Sequence, residues 1–530
     1  MAYTSFLWFF VFFLGTYLLY IVIPKNWKWL VLLLSSWSFY TISVKGHVLP
    51  LALVTLGVWG IGLLLQKQNE ACKAAVKGKK RDEKKVIKKR YAKKKGWLTA
   101  GGVLFSLAFI LVLKYGNFFG ETFSELLGAD YQPVHFIQPL GISFYTMQAI
   151  SYLVDVNRGR VKACKNPLKL SLFLSFMFTV VEGPIARYSE MEQQLFEPKK
   201  LTQRHFYYGT MRILWGLFKT VVIANRVALI ADNLFDYYTE RGGLAVLFGI
   251  MAYTLQLYCD FSGVMDVLSG CTYMMGIELP QNFNHPFFAK TINEFWQRWH
   301  ITLGGFLRDY VFYSISFSAP MKSLSASARK RLSTYYAAIV PTSVALFFVW
   351  FCNGLWHGSG VKYIVYGLYY YVLMMLGMYL EPLAEKLCKV LRINRQSKPY
   401  QLFQIVRTFA VVNIGMLIFR ADDLKAAVHI LLSVTDMKKT VFLFHHPLKA
   451  LYGDMSPGFS IKEVAIIGLG VLIIFAVSLL SELGKKPLER LYNMKPAVRS
   501  AIYMAVLLAI ILFGAYSENY DTNQMIYAGF

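Results

Sequence analysis

Phe351-Cys352-Asn353-Gly354-Leu355-Trp356-His357-Gly358-Ser359-Gly360 closes an apolar run that begins near residue 334, and it sets one histidine among aromatics and glycines. A run of about 20 apolar residues is what a helix needs to cross the roughly 30 Å of hydrocarbon in a bilayer. A charged side chain at mid-bilayer costs roughly 2.5 kcal/mol or more, so an ionisable group there ordinarily lines a cavity or a pathway. His357 is therefore either a residue that does chemistry or an interfacial histidine satisfied by its neighbours.

Working outward, further apolar runs lie near 5–24, 29–44, 48–66, 97–115, 168–182, 361–380, 462–481 and 499–516. Less uniform ones lie near 136–154, 206–231, 243–259 and 402–420. They predict an all-α polytopic membrane protein with roughly ten to twelve transmembrane helices, some of the short or broken ones re-entrant. A hydrophobic content of 56% and a mean hydropathy of +0.42 exclude an ordinary soluble domain. The first run lacks the basic start and small-residue cleavage site of a secretory signal, so it is expected to be retained.

The net charge of +26 is unevenly placed: segment 67–95 holds fourteen Lys/Arg against Glu70, Asp82 and Glu83, a net of +11. No nucleic-acid recognition fold accompanies this run, so nucleic acid is not an expected partner. The positive-inside rule puts loop 67–96 in the cytoplasm and, counting back through three spans, the amino terminus outside. The loop can also lie on anionic headgroups of the bilayer. The six cysteines form no C-x-x-C pair and no zinc-ligand spacing, so free thiols and no metal are expected. Cys352 is a conceivable nucleophile, but no nearby cation in the sequence favours its thiolate.

Texture divides the chain into anchoring helices with the basic loop (1–133), a core carrying most of the embedded polar residues (134–380), and carboxy-terminal helices and loops (381–530), among them a loop expected from about 421 to 461. Polar residues are densest from Leu255 to Tyr310: Gln256-Leu257-Tyr258-Cys259-Asp260-Phe261-Ser262-Gly263, Asp266, Gln281-Asn282-Phe283-Asn284-His285, and Asn293-Glu294-Phe295-Trp296-Gln297-Arg298-Trp299-His300. A helix through 291–310 would bring Trp296, Trp299 and His300 together and point Arg298 and Arg308 elsewhere, as a re-entrant or interfacial helix does. The alternative is a cytoplasmic amphipathic helix without a catalytic role. Familiar soluble-enzyme patterns fail: Asp260-Phe261-Ser262-Gly263 is not a kinase D-F-G, Ser359 lacks a nucleophile elbow, and no Walker loop, H-E-x-x-H or dinucleotide fingerprint occurs. His445-His446 has no companion ligands.

The blocks as a set resemble the membrane-bound O-acyltransferase family. Leu140-Gly141-Ile142-Ser143-Phe144-Tyr145, Gly183-Pro184-Ile185-Ala186-Arg187, Tyr258-Cys259-Asp260-Phe261-Ser262-Gly263, Asn282-Phe283-Asn284, Glu294 to His300 and Leu355-Trp356-His357-Gly358 follow the family's order over about residues 138–370. Its bacterial branch includes alginate and peptidoglycan O-acetylation membrane proteins and the teichoic acid D-alanyl transferase. The block at Gly263 departs from many acetyltransferase members in reading Val264-Met265, which weakens a substrate assignment built on it.

The resemblance implies transmembrane helices around a central funnel, His357 as the catalytic histidine, and His300 as the second polar residue of the site. Trp299, Arg298, Arg308, Asn284, Asn353 and Asp260 are the candidates for contact with donor or acceptor. It also implies a bacterial cytoplasmic-membrane enzyme that binds no resident cofactor. The expected donor is acetyl-coenzyme A, and the acceptor is an extracellular polysaccharide reached directly or through an extracytoplasmic acyl-accepting partner. The competing expectation is D-alanine carried as a phosphopantetheine thioester on an acyl carrier protein. A glycan-precursor transporter is a third, but the two related halves of many transporters are missing from the sequence.

Overall fold

The computed structural model describes Tyr3, Ser5 and residues 7–134, 139–453 and 460–516. Residues 136–138 of the expected 136–154 run and 454–459 of the expected 421–461 loop lie outside the described residues. Regular structure among the described residues is helical, with one isolated antiparallel bridge between Phe283 and Trp299.

Nine helices among the described residues are long and apolar enough to cross a membrane: Leu49–Val76, Arg81–Leu113, Gln203–Asp236, Leu244–Met274, Thr334–His357, Val361–Val390, Lys398–Arg420, Ile461–Glu482 and Pro496–Phe513. Trp8–Val22 is a shorter apolar helix. The protein is thus a multi-pass membrane protein.

Three sequence expectations need correction. The apolar run 168–182 is not a span, because helix Pro167–Ser175 stops after nine residues and 176–187 continues as irregular, largely buried backbone. Pro184 supplies no N–H and disfavours helical backbone before it. The chain also folds back at Gly183, where a Cβ would meet Phe178 O at 2.1 Å. Apolar character alone does not separate such a buried segment from a helix. Second, the basic segment is not a loop: helices Leu49–Val76 and Arg81–Leu113 run through it and leave only 77–80 as the turn, at Gly78 with φ +75°. Lys, Arg, Glu and Ala are good helix formers, so charge density did not imply irregular backbone. Third, 421–461 is largely helical over Leu424–Ser433, Met437–His445 and Pro447–Tyr452.

Two compact units partition the chain, one of Tyr3–Phe206 with Cys271–Pro280 and the other of Tyr207–Gly270 with the residues from Gln281 onward. In the first, the block at 140–155 forms helix Ile142–Arg158, whose residues are mostly buried. Gly141 caps it at φ +75°, where an added Cβ would lie 1.9 Å from Val180 O, so only glycine fits.

In the second unit, helices Gln203–Asp236 and Leu244–Met274 approach backbone to backbone. A Cβ on Gly263 would meet Thr220 Oγ1 at 2.3 Å and Gly216 O at 2.8 Å. Small residues permit such approach between apolar helices. The contact is joined by a buried ion pair, Lys219 Nζ to Asp266 Oδ2 at 2.7 Å, with Arg212 Nε on Asp266 Oδ1 at 3.0 Å and Ser262 Oγ accepting from Lys219 at 2.8 Å. Lys219 lies in a π-helical stretch, Phe218–Ala224, of the first helix.

Candidate active site

Helix Thr334–His357 ends on His357, because Gly358-Ser359-Gly360 is poor helix-forming sequence. Trp350, Asn353 and His357 fall on one face and are all buried. The next helix, Val361–Val390, packs tightly against this end. A Cβ on Gly354 would lie 2.4 Å from Tyr363 O, and one on Gly358 would lie 2.2 Å from the Tyr363 ring. Helix packing therefore accounts for both glycines, whereas Gly360 would meet nothing closer than 3.7 Å.

The His357 imidazole is enclosed by aromatic edges and faces. Its centroid lies 4.8 Å from Trp356, 5.5 Å from Tyr366 and 5.0 Å from Phe419, the last two nearly perpendicular. These walls come from helices Val361–Val390 and Lys398–Arg420. Such an enclosure fixes the ring plane and limits water around it.

His300 is placed differently from the expectation. The helix foreseen over 291–310 is broken into Ile292–Arg298 and Ile301–Phe306, with Trp299 extended (φ −111°, ψ 129°) and His300 left-handed (φ 46°, ψ 52°). The break is imposed by the 282–284 segment, which pairs with it: Asn284 N–H donates to Arg298 O at 2.9 Å and Ile301 N–H to Asn282 O at 3.0 Å. A left-handed residue other than glycine costs about 1–2 kcal/mol, so this pairing must hold it.

The Asn282 side chain completes the clamp. Its Oδ1 accepts from Thr302 N–H at 3.1 Å and Thr302 Oγ1 at 2.7 Å, and lies 3.3 Å from His300 Nδ1. A backbone N–H can only donate, so it identifies the facing amide atom as the oxygen. Nδ1 of His300 then carries the proton, and Nε2 is the basic nitrogen. Burial lowers the His300 pKa, which keeps the ring neutral.

The two histidines share one neighbour. Trp356 lies 5.6 Å from the His300 ring and 4.8 Å from the His357 ring, centroid to centroid, so the histidine rings are no farther apart than the sum of those distances. Phe261 closes the other side of His300 at 4.9 Å. Asp260, half-buried in helix Leu244–Met274, directly precedes it. Trp299 packs with Phe283 and Phe295, and Phe283 in turn lies 5.0 Å from Phe261. Arg298 is paired with Glu294 at 2.8 Å and with Glu482, and Arg308 is mostly exposed beside Asp309. Asn284 is exposed. The residues that sequence reasoning did not single out for the site are Asn282, Trp356, Tyr366 and Phe419. The first two lay in quoted blocks, whereas nothing local marked Tyr366 or Phe419.

Among the described residues, no three His, Cys, Asp or Glu side chains gather as a metal site. What the arrangement supplies is two imidazoles of restricted orientation in a largely apolar enclosure, suited to moving a proton onto and off a reacting oxygen.

Comparison with known proteins identifies the family. The membrane-bound O-acyltransferase family (MBOAT) matches residues 162–395. The chain is 32% identical over 413 residues to the probable alginate O-acetylase AlgI of Pseudomonas aeruginosa, covering 77% of this chain and 70% of that one. It is 31% identical over 366 residues to the peptidoglycan O-acetyltransferase of Helicobacter pylori, covering 64% of each. It is 29% identical over 328 residues to the teichoic acid D-alanyltransferase of Bacillus subtilis, covering 61% of this chain and 78% of that one. A helical membrane protein whose two buried histidines both pack on Trp356, and whose relatives have this identity and coverage, belongs to the membrane-bound O-acyltransferase family and is an O-acyltransferase.

Proposed function

We propose that the protein takes an acetyl group from cytoplasmic acetyl-coenzyme A and passes it across the membrane to O-acetylate a cell-surface or extracellular polysaccharide. The observation that carries this reading is the packing of both His357 and His300 on Trp356, at 4.8 and 5.6 Å between ring centroids. Similarity to the alginate O-acetylase and the peptidoglycan O-acetyltransferase supports the acetyl group and the polysaccharide acceptor.

In this reading His357 is the general base. It removes the proton from the attacking hydroxyl as oxygen bonds to the thioester carbon, then returns it to the departing thiolate. The thioester and hydroxyl become an oxygen ester and a free thiol. His300, held neutral with Nδ1–H on Asn282, presents Nε2 toward donor or acceptor and orients it. Arg308 is assigned to the donor's phosphates, together with Arg298 once a phosphate displaces one of its two carboxylate partners, with Asp260, Asn284, Asn353 and Trp299 as further contacts. The enzyme sits in a bacterial cytoplasmic membrane with its amino terminus outside, its basic helical hairpin inside, and an extracytoplasmic protein as the first or final acceptor.

Purified protein in vesicles, given acetyl-coenzyme A and assayed for thioester loss, tests this. Wild type is expected to consume the thioester, and His357→Ala to lose about 10²–10⁴-fold in rate. A properly inserted His357→Ala with wild-type turnover would refute the assignment. A second reading, D-alanyl transfer from a carrier-protein thioester, is favoured by the similarity to the teichoic acid D-alanyltransferase. Consumption of only the D-alanyl carrier thioester would establish it in place of acetyl transfer.

A further inference from the structure

Thioester transfer also needs hydrogen-bond donors for the carbonyl oxygen, which gains negative charge as the hydroxyl attacks. Two buried side-chain N–H groups make no hydrogen bond among the described residues: Asn353 Nδ2, one helical turn from His357, and Trp296 Nε1, whose ring packs on the Tyr366 that flanks His357. Asn353 is only 3% exposed. Buried donors without a protein partner are disfavoured, and native structures keep them where a ligand or water completes them.

Their positions fit a shared task. Asn353 is one helical turn before His357 on the same buried face, a rise of about 6 Å. The Trp296 ring lies 5.1 Å from Trp350, three residues before Asn353, and 6.4 Å from Tyr366, which also packs on His357. Cations on the flanking elements are paired with carboxylates, Arg420, next to Phe419, with Asp232 at 3.0 Å, and Arg298 with Glu294 and Glu482. Neutral N–H groups avoid the penalty of holding an unpaired charge in an apolar interior.

We propose that Asn353 Nδ2–H, with Trp296 Nε1–H as second donor, holds the carbonyl oxygen of the acyl thioester while His357 deprotonates the attacking hydroxyl. The inference rests on the acyl-transfer reading above. As the oxygen–carbon bond forms, the carbonyl electron pair moves onto the oxygen held by Asn353. It returns when the carbon–sulfur bond breaks, and the thiolate takes the proton from His357.

The test measures kcat and KM for acetyl-coenzyme A, or for the D-alanyl carrier thioester, with wild type, Asn353→Leu, Asn353→Asp and Trp296→Phe in vesicles. Both Asn353 variants should lose about 10²–10³-fold in kcat, the usual effect of removing one such donor, with donor KM changed by no more than about twofold. Trp296→Phe, which removes the N–H and keeps most of the ring, should lower kcat in the same way. The shape of the pH–rate profile should persist, because His357 sets it. If the amide only packs or binds water, Asn353→Leu keeps wild-type kcat, and that result overturns the proposal. A rise in KM at unchanged kcat overturns it equally. Should the Asn353 variants fail to fold, Trp296→Phe at full kcat has the same force. Wild-type protein that consumes neither thioester removes the acyl-transfer reading itself, whereas active wild type with an unimpaired Asn353→Leu removes this inference alone.

Discussion

His300 shows how much a single side chain depends on its neighbours. Its backbone sits in a region that few residues other than glycine adopt, and Asn282 fixes both that backbone and the proton on its ring. Replacing Asn282 by alanine leaves Thr302 N–H without its acceptor, which should cost about 1–3 kcal/mol of stability. It also frees the His300 ring to move, and a misplacement of about 1 Å can cost roughly 10²-fold in rate. Thioester turnover and detergent melting of Asn282→Ala measure the two effects. Unchanged turnover would show that His300 needs no clamp. Arg392 offers a contrast without function: it is exposed and left-handed at φ +54°, just past helix Val361–Val390. Its N–H reaches Lys389 O, and Ile393 N–H reaches Cys388 O, a helix ending that favours glycine at this position. Arg392→Gly should therefore stabilise the protein by about 1 kcal/mol, read as a higher melting temperature at unchanged activity.

Between elements, the buried ion pair between helices Gln203–Asp236 and Leu244–Met274 makes a sharper prediction. Asp266 accepts from both Lys219 and Arg212, so Asp266→Asn leaves two cations around a neutral amide. Breaking such a pair from one side costs about 3–5 kcal/mol, whereas replacing both partners by apolar residues is often nearly neutral. Melting of Asp266→Asn should show the large loss, and Asp266→Leu combined with Lys219→Met, which leaves only the partly exposed Arg212 without its carboxylate, should recover most of it. Equal losses in the two variants would mean that the pair is needed for more than its own neutralisation. The spans themselves were legible in composition. The ion pair was not, because Lys219 and Asp266 are 47 residues apart and meet only through the approach at Gly216 and Gly263.

For the molecule as a whole, orientation is the property that charge asymmetry should decide. The fourteen Lys/Arg of 67–95 lie at the ends of two membrane-crossing helices and in the four-residue turn that joins them. Such charge is retained on the cytoplasmic side. With the native cysteines replaced, a cysteine at position 80 should react with an impermeant maleimide only after cells are opened. One at Gly128, beyond the other end of helix Arg81–Leu113, should react in intact cells. The reverse pattern would invert the assigned topology.

Sequence alone determined that the chain is helical and membrane-embedded, since apolar runs of spanning length record the bilayer's demand that backbone groups be satisfied within each segment. The ordered blocks also determined the family, because their residue types and order are carried by the chain itself. Tertiary structure decided where hydrophobicity misleads, as at 168–182, where the same apolar composition serves buried irregular backbone. It also decided the site. His300 and His357 are 57 residues apart, and only the 282–284 segment, which breaks the intervening helix, and Trp356, which touches both rings, bring them together. No local pattern encodes such contacts, because they arise from packing between segments distant in the chain.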